Sequence, residues 1–157
     1  MNKTHYIIIL SIVVLFNAAI FAITVYDNSL TAYGHFAFSI ICHQKEDRTF
    51  QINGQQMPVC HRCLGIYLGA LLGVVGFLFY RNMKLSYFLI SMLPMALDGG
   101  TQLVGLRESN SIIRLATGGI AGTACALFII PSMFQLMNDY EKFLKKKYNI
   151  IFKRLRS

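Results

Sequence analysis

Four stretches of the chain are almost free of charge and long enough to form membrane-crossing helices. They cover residues 6–26, 64–80, 85–106 and 112–134. A hydrocarbon core about 30 Å thick needs about 20 apolar residues in helical form, and the first stretch offers 21 uncharged positions. That stretch lacks a convincing small-x-small cleavage site, so we expect an uncleaved helix rather than a signal peptide.

The hydrophobic pattern therefore predicts an all-α fold, a polytopic four-helix membrane bundle. The third stretch is interrupted by Pro94, Asp98 and two glycines, and the fourth carries Arg114 near its start. Glycines at 65, 69 and 73, and again at 118 and 122, recur every four residues, a spacing that permits close helix packing. We expect one integral membrane domain over residues 1–157.

The long connection between the first two stretches has its own pattern. Residues 30–41 are apolar and aromatic but too short to span, which favours a short helix at the membrane interface. Residues 49–52 and 55–59 flank Asn53-Gly54, the strongest short-range hairpin signal. A small external hairpin here would fold Cys42 and His43 back onto Cys60 and Cys63.

Composition and charge support a membrane protein and suggest its orientation. Hydrophobic residues make up 55% of the chain, charged residues 14%, and the mean hydropathy is +0.50. Seven of the 15 Lys/Arg lie in a basic tail at residues 138–157, which predicts contact with anionic lipid rather than nucleic acid. With four spans, the side holding both termini carries ten Lys/Arg and the other five, so we expect both termini in the cytoplasm of a multi-pass cell-membrane protein.

The cysteine and histidine pattern predicts a metal site on the extracytoplasmic side. Cys42-His43 precedes Cys60-x-x-Cys63, and three thiolates with one imidazole match the ligands of a tetrahedral zinc site. His43 is the expected fourth ligand, while His61 or water could take its place. An open fourth position would make the site catalytic rather than structural.

The same thiols allow a redox interpretation. A CxxC at a helix start in a four-helix membrane protein suits quinone-coupled thiol oxidation, with Arg62 and the helix N-terminus lowering a thiol pKa. Three external cysteines are an awkward number for this relay, because two disulfides need four. Cys125 lies deep in the fourth span, and we expect it to be an inert thiol.

A second polar group joins the third and fourth stretches. Asp98 and Gln102 are four residues apart and share a helical face, which makes them candidate catalytic groups. Arg48, Arg62, Arg107 and Arg114 fall on the side where basic residues are normally scarce, and their guanidinium groups suit an anionic substrate. The structural alternative is an ion pair of Asp98 with Arg107 or Arg114.

Two blocks of residues together resemble the family called domain of unknown function 2085. The first is Cys42-His43-Gln44, Arg48 and Pro58-Val59-Cys60-x-Arg62-Cys63-x-Gly65-x-Tyr67-x-Gly69. The second is Asp98-Gly99-x-x-Gln102-x-x-Gly105-x-Arg107-x-Ser109, with Arg114 and Thr117-Gly118. The resemblance covers about residues 35–125 and implies a multi-span membrane protein whose two blocks act together. His61 departs from the family pattern, where a small residue is expected, which disfavours it as a ligand.

The sequence leaves three functions open. The first is an integral membrane metalloprotein of zinc type, a candidate enzyme for an anionic membrane-associated substrate. The second is a membrane thiol–disulfide oxidoreductase that uses Cys60 and Cys63, with quinone in place of zinc as cofactor. The third is a metal or ion transporter or binding subunit, with Asp98 and Gln102 along its pathway.

Overall fold

A computed structural model describes residues 3–26, 29–80, 83–105 and 108–155 and shows a mostly helical chain. Two helices precede a hairpin and three follow it. In chain order the elements are α1 (Lys3–Val25), α2 (Ser29–Ser39), a 3-10 turn (Glu46–Arg48), β1 (Thr49–Ile52), β2 (Gln55–Cys60), α3 (His61–Gly76), α4 (Leu85–Leu103) and α5 (Ser111–Leu155). Helix α5 continues through the basic tail as far as Leu155.

Two of the described helices are long and apolar enough to cross a membrane. They are Lys3–Val25 and the segment Ser111–Leu136 of α5. Helix α3 is apolar but has only 16 residues, about 24 Å of helix. Helix α4 has 19 residues and includes Pro94 and Asp98. The structure thus shows a helical protein with two candidate spans.

The tightest packing in the fold joins α3 and α5, as the glycine spacing predicts. A Cβ atom at Gly69 would overlap the backbone of Gly119, and one at Gly122 would overlap the backbone of Ile66. Thr123 Oγ1 donates to the carbonyl oxygen of Gly69 at 3.0 Å across the same interface. Because no side chain separates the two backbones, the start of α3 is held directly against the start of α5.

The predicted hairpin is confirmed, and it sets the position of Cys60. Strands β1 and β2 pair antiparallel, with Ile52 opposite Gln55 and Thr49 opposite Cys60, and a bulge between. Asn53 and Gly54 both have positive φ, 52° and 77°, as a tight hairpin turn requires. The second strand runs straight into α3, so Cys60 lies at the junction of strand and helix.

A small apolar core holds the hairpin and the preceding loop against α1 and α3. Its buried members are Ile20, Phe38, Cys42, Met57, Val59 and Leu64. Helix α2 contributes Phe38 to this core but leaves Tyr33 and Phe36 largely exposed, as is Ile40 directly after the helix. The loop between α2 and α3 is therefore a packed unit that fixes Cys42 beside the β2–α3 junction.

Candidate metal centre

Three thiols converge between the loop, the hairpin and α3. The Sγ atoms of Cys42, Cys60 and Cys63 all lie within 4.8 Å of one another. Cys60 Sγ and Cys63 Sγ are 3.4 Å apart, and the backbone N–H of Cys60 donates to Cys42 Sγ at 3.1 Å. Cys42 is only 5% exposed, whereas the other two are half-buried. The arrangement brings together three of the four residues expected to hold a metal.

Local structure explains why these three side chains meet. Cys60 ends β2 and immediately precedes α3, and Cys63 follows three residues later in the first turn of that helix. Cys42 comes from the other side of the hairpin, two residues before the positive-φ residue Gln44. The Gln44 side chain donates to the carbonyl oxygens of His35 and Pro58, both at 2.8 Å, and so ties the loop to α2 and β2.

The thiols are electrostatically unequal. Hydrogen bonds shared with the Cys42 and Cys63 thiols hold the pKa of Cys60 far below its usual range. The same shared hydrogen bonds, together with burial, raise the pKa of Cys63. The thiolate form of Cys60 is therefore favoured. A thiolate is the form of cysteine that binds metals and attacks disulfides.

Neither nearby histidine joins the three thiols. His43 is exposed and lines the cavity beside them, but its ring nitrogens are not among the clustered ligand atoms of the described residues. His61 is 4% exposed and packs edge-on against Phe50, with ring centroids 4.2 Å apart. Its Nδ1 has no hydrogen-bond partner among the described residues. His61 is thus part of the packed core.

The acidic and amide groups of α4 bind arginines from two different helices. Asp98, 9% exposed, forms an ion pair with Arg62 of α3. With its amide oxygen turned toward α5, Gln102 accepts from the Ser109 backbone N–H at 2.9 Å and from Arg114 Nη2 and Nε at 2.9 and 3.1 Å. This amide orientation is assigned from hydrogen bonding.

Asp98 pairs with Arg62, a partner that was not expected from sequence. Arg114, one of the two expected partners, binds the Gln102 amide. The pair of Asp98 with Arg107 stays a prediction. Arg107 lies outside the described residues.

A cavity of about 470 Å³ opens beside the thiols. Its lining combines cationic, thiol and apolar side chains. The lining residues are Ile41, Cys42, His43, Lys45, Arg48, Cys60, Arg62, Cys63, Ile66, Met95, Gln102 and Arg114. The volume is within the range of small-molecule sites, about 300–1,000 Å³. Both sequence blocks, the cysteine block and the Asp98–Arg114 block, thus contribute to one site.

Sequence reasoning assigned no site role to several residues that shape this centre. Lys45 lines the cavity. Gln44, Gln56 and His35 form a hydrogen-bonded brace, in which Gln56 Nε2 donates to the Gln44 carbonyl at 2.8 Å and His35 Nε2 contacts the Gln56 carbonyl at 3.0 Å. The only sequence signal for the brace was the position of Gln44, directly after Cys42-His43.

Comparison with known proteins places the same residues in a recognised family region. A family model described as a predicted membrane protein (DUF2085) matches residues 42–128. An uncharacterised protein of Methanocaldococcus jannaschii is 44% identical over 112 residues, 68% of this chain and 70% of that relative. Another, from Methanothermobacter thermautotrophicus, is 44% identical over 94 residues, 57% of this chain and 85% of the relative. No solved structure matches significantly.

Proposed function

We propose a function for this chain, which belongs to DUF2085, a family of predicted membrane proteins. In this proposal α3 and α4 join the two candidate spans as further membrane helices, giving a four-helix bundle with both termini in the cytoplasm. Helix α2 then lies at the outer interface, where its exposed Tyr33 and Phe36, together with Ile40 just after the helix, contact lipid. The basic tail contacts anionic lipid at the inner face.

We further propose that the protein is a metalloprotein with a zinc-type centre on its extracytoplasmic side. The main support for this proposal is that Cys42, Cys60 and Cys63 converge and line a cavity. Three thiolates fit a soft or borderline metal and leave one of four tetrahedral positions open to the cavity. His43, on the same wall, is the protein side chain that can occupy that position after rotating inward.

The polar groups opposite the thiols have a supporting role in this proposal. Asp98 and Gln102 hold Arg62 and Arg114 in place, and they remain the candidate groups for proton transfer. Arg48 lines the cavity from the loop side and forms an exposed ion pair with Asp47 at 3.2 Å. Arg107 is proposed to join this set from the α4–α5 connection. An open metal position beside several arginines suits an enzyme acting on an anionic membrane-associated substrate.

Elemental analysis of anaerobically purified protein tests the metal centre directly. We expect close to one zinc, or another soft divalent metal, per chain, and loss of the metal when the cysteines are replaced. A metal-free preparation that contains a Cys60–Cys63 disulfide would overturn the proposal.

That result would favour a second candidate function, thiol–disulfide exchange. The specific observation behind it is the 3.4 Å separation of Cys60 Sγ and Cys63 Sγ, combined with the lowered pKa of Cys60. A thiolate next to a partner thiol is the arrangement an exchange reaction uses.

The proposed orientation has its own test. After metal removal, a membrane-impermeant thiol reagent added to intact cells should label the loop cysteines. Labelling only after the cells are lysed would place the thiols in the cytoplasm and reverse the topology.

A further inference from the structure

The cavity beside the thiols contains a buried cation that the described protein groups leave without a carboxylate. Arg114 is 7% exposed and lines this cavity. Its hydrogen bonds go to the neutral Gln102 amide, and none of the three ion pairs found among the described residues includes it. Buried charges in proteins are ordinarily paired, because an unpaired ion in a low-dielectric site is costly. An anion bound in the cavity would therefore stabilise the Arg114 guanidinium.

We propose that the cavity binds a phosphate group, either free or as the headgroup of an amphiphile. The inference rests on the proposed metal centre and names the class of anion that the same site takes. Arg48, Arg62, Arg114 and Lys45 all line the cavity. Two of them, Arg114 and Lys45, form none of the ion pairs found among the described residues. A carboxylate carries one negative charge, whereas a phosphate carries up to two and so matches both cations.

Some of the positive charges at the cavity are neutralised within the protein, and the others are available to a phosphate. Asp98 pairs with Arg62, and Asp47 pairs with Arg48 at the exposed rim. Arg114 and Lys45 keep positive charge facing the cavity. Guanidinium groups bind phosphate through paired, charge-assisted hydrogen bonds, which are stronger in a site with little water.

The apolar residues of the cavity lining explain why an amphiphile is one source of the phosphate. They are Ile41, Ile66 and Met95. Ile66 and Met95 belong to α3 and α4, the helices proposed to lie in the membrane. A lipid phosphate could place its headgroup at Arg114 and the start of its hydrocarbon chain against these apolar residues. Inorganic phosphate would contact the cationic residues alone.

Calorimetric titration of the full-length protein in detergent micelles tests the inference. The zinc content of each sample is measured first. Inorganic phosphate and octyl phosphate are the two probes, and octyl glucoside is the uncharged control for partitioning of the alkyl chain. The variant Arg114→Gln removes the buried charge and keeps a hydrogen-bonding side chain. Lys84→Gln removes a positive charge at the start of α4, outside the cavity lining.

Saturable binding of at least one phosphate probe, weakened about tenfold or more by Arg114→Gln and unchanged by Lys84→Gln, would support the inference. Stronger binding of octyl phosphate identifies an amphiphile as the source, and equal or weaker binding identifies free phosphate. Zinc-loaded protein that binds neither probe would overturn the inference while leaving the metal centre intact. Zinc-free protein that still binds phosphate through Arg114 would instead overturn the metal centre.

The same Arg114→Gln variant distinguishes phosphate binding from an alternative role of Arg114. If the buried guanidinium only stabilises the metal-bound thiolates, Arg114→Gln will lower zinc retention with no phosphate binding in either protein. That outcome also overturns the inference. Arg114→Lys provides a second variant in case the glutamine variant fails to fold, because it keeps the charge and should retain most phosphate binding.

Discussion

Gly118 offers the sharpest test of how helix packing supports the candidate centre. It faces α3 at the residue between two of the thiols, and an added Cβ would overlap the Arg62 carbonyl oxygen. The Arg62 carbonyl carbon and the Ile66 nitrogen would lie at 3.2 Å. All three are backbone atoms, so no side-chain rotation can relieve the contact. Gly119, its neighbour, has only the Gly65 oxygen nearby, at 3.8 Å.

The two substitutions Gly118→Ala and Gly119→Ala therefore make a matched pair. Both replace glycine by alanine within α5, so both gain the same helix propensity, up to about 1 kcal/mol. Only the alanine at 118 must push α3 away, by about 1 Å if ordinary van der Waals contact is to be restored. Overpacking of this kind costs about 1–3 kcal/mol. A difference of about 2 kcal/mol corresponds to about 4–8 °C in Tm for a chain of this size.

Thermal unfolding in detergent, followed by circular dichroism, measures this difference. We expect the Gly118→Ala protein to melt several degrees below the Gly119→Ala protein. Because the first turn of α3 carries Cys63, the same variant should lose zinc faster to a competing chelator. Equal melting temperatures for the two variants would refute the close approach of α3 and α5. Different melting temperatures with equal rates of zinc loss would refute the connection between the α3–α5 contact and the thiols.

Three further predictions follow from the contacts of the site. Cys60→Ser should reduce the zinc content, measured by elemental analysis, from about one per chain to below about one tenth, because two thiols are too few ligands. The control Cys125→Ser should leave the zinc content unchanged. Equal zinc content in the two variants would contradict the metal centre. Asp98→Asn should lower the free energy of unfolding by about 1–3 kcal/mol, because it leaves the Arg62 guanidinium, whose side chain is 23% exposed, without its partner. The same change in the exposed pair, Asp47→Asn, should cost under about 0.5 kcal/mol, and equal effects would be evidence against a buried pair. Gln44→Ala should lower Tm, because it removes two hydrogen bonds and places alanine at φ 46°. The free energy of unfolding should fall by about 1–3 kcal/mol. An unchanged Tm would show that the brace is dispensable.

Local patterns accounted for the hairpin and the helix interface. The Asn-Gly turn needs positive φ at two successive residues, a requirement few other residue pairs meet, so its location was predictable. Glycines four residues apart in α3 and α5 fall on one helical face, and close packing follows from the missing side chains. Both predictions depend on spacing within a single element.

The partners of the charged groups could not be predicted in the same way. Arg62 reaches Asp98 from a helix 36 residues earlier in the chain, and Gln102 serves Arg114 instead. Spacing says nothing about which of several arginines stands opposite one carboxylate, because that depends on how three helices rotate about their axes. The place of His43 outside the thiol group was unpredictable for a similar reason, since adjacent residues point in different directions.

Hydrophobic pattern and motifs were enough to predict a helical membrane protein of the DUF2085 family, with a cysteine block and an Asp–Gln–Arg block. Composition and motif order carry that information because they are properties of the chain. The hairpin signal also predicted that Cys42 folds back onto Cys60 and Cys63. The folded chain adds that these thiols share one cavity with Arg62 and Arg114. Convergence depends on the hairpin register and on the contact of α3 with α5, which bring residues 42, 60 and 114 together. Electrostatic pairing and ligand geometry act over a few ångströms, so they are fixed by folding rather than by order along the chain.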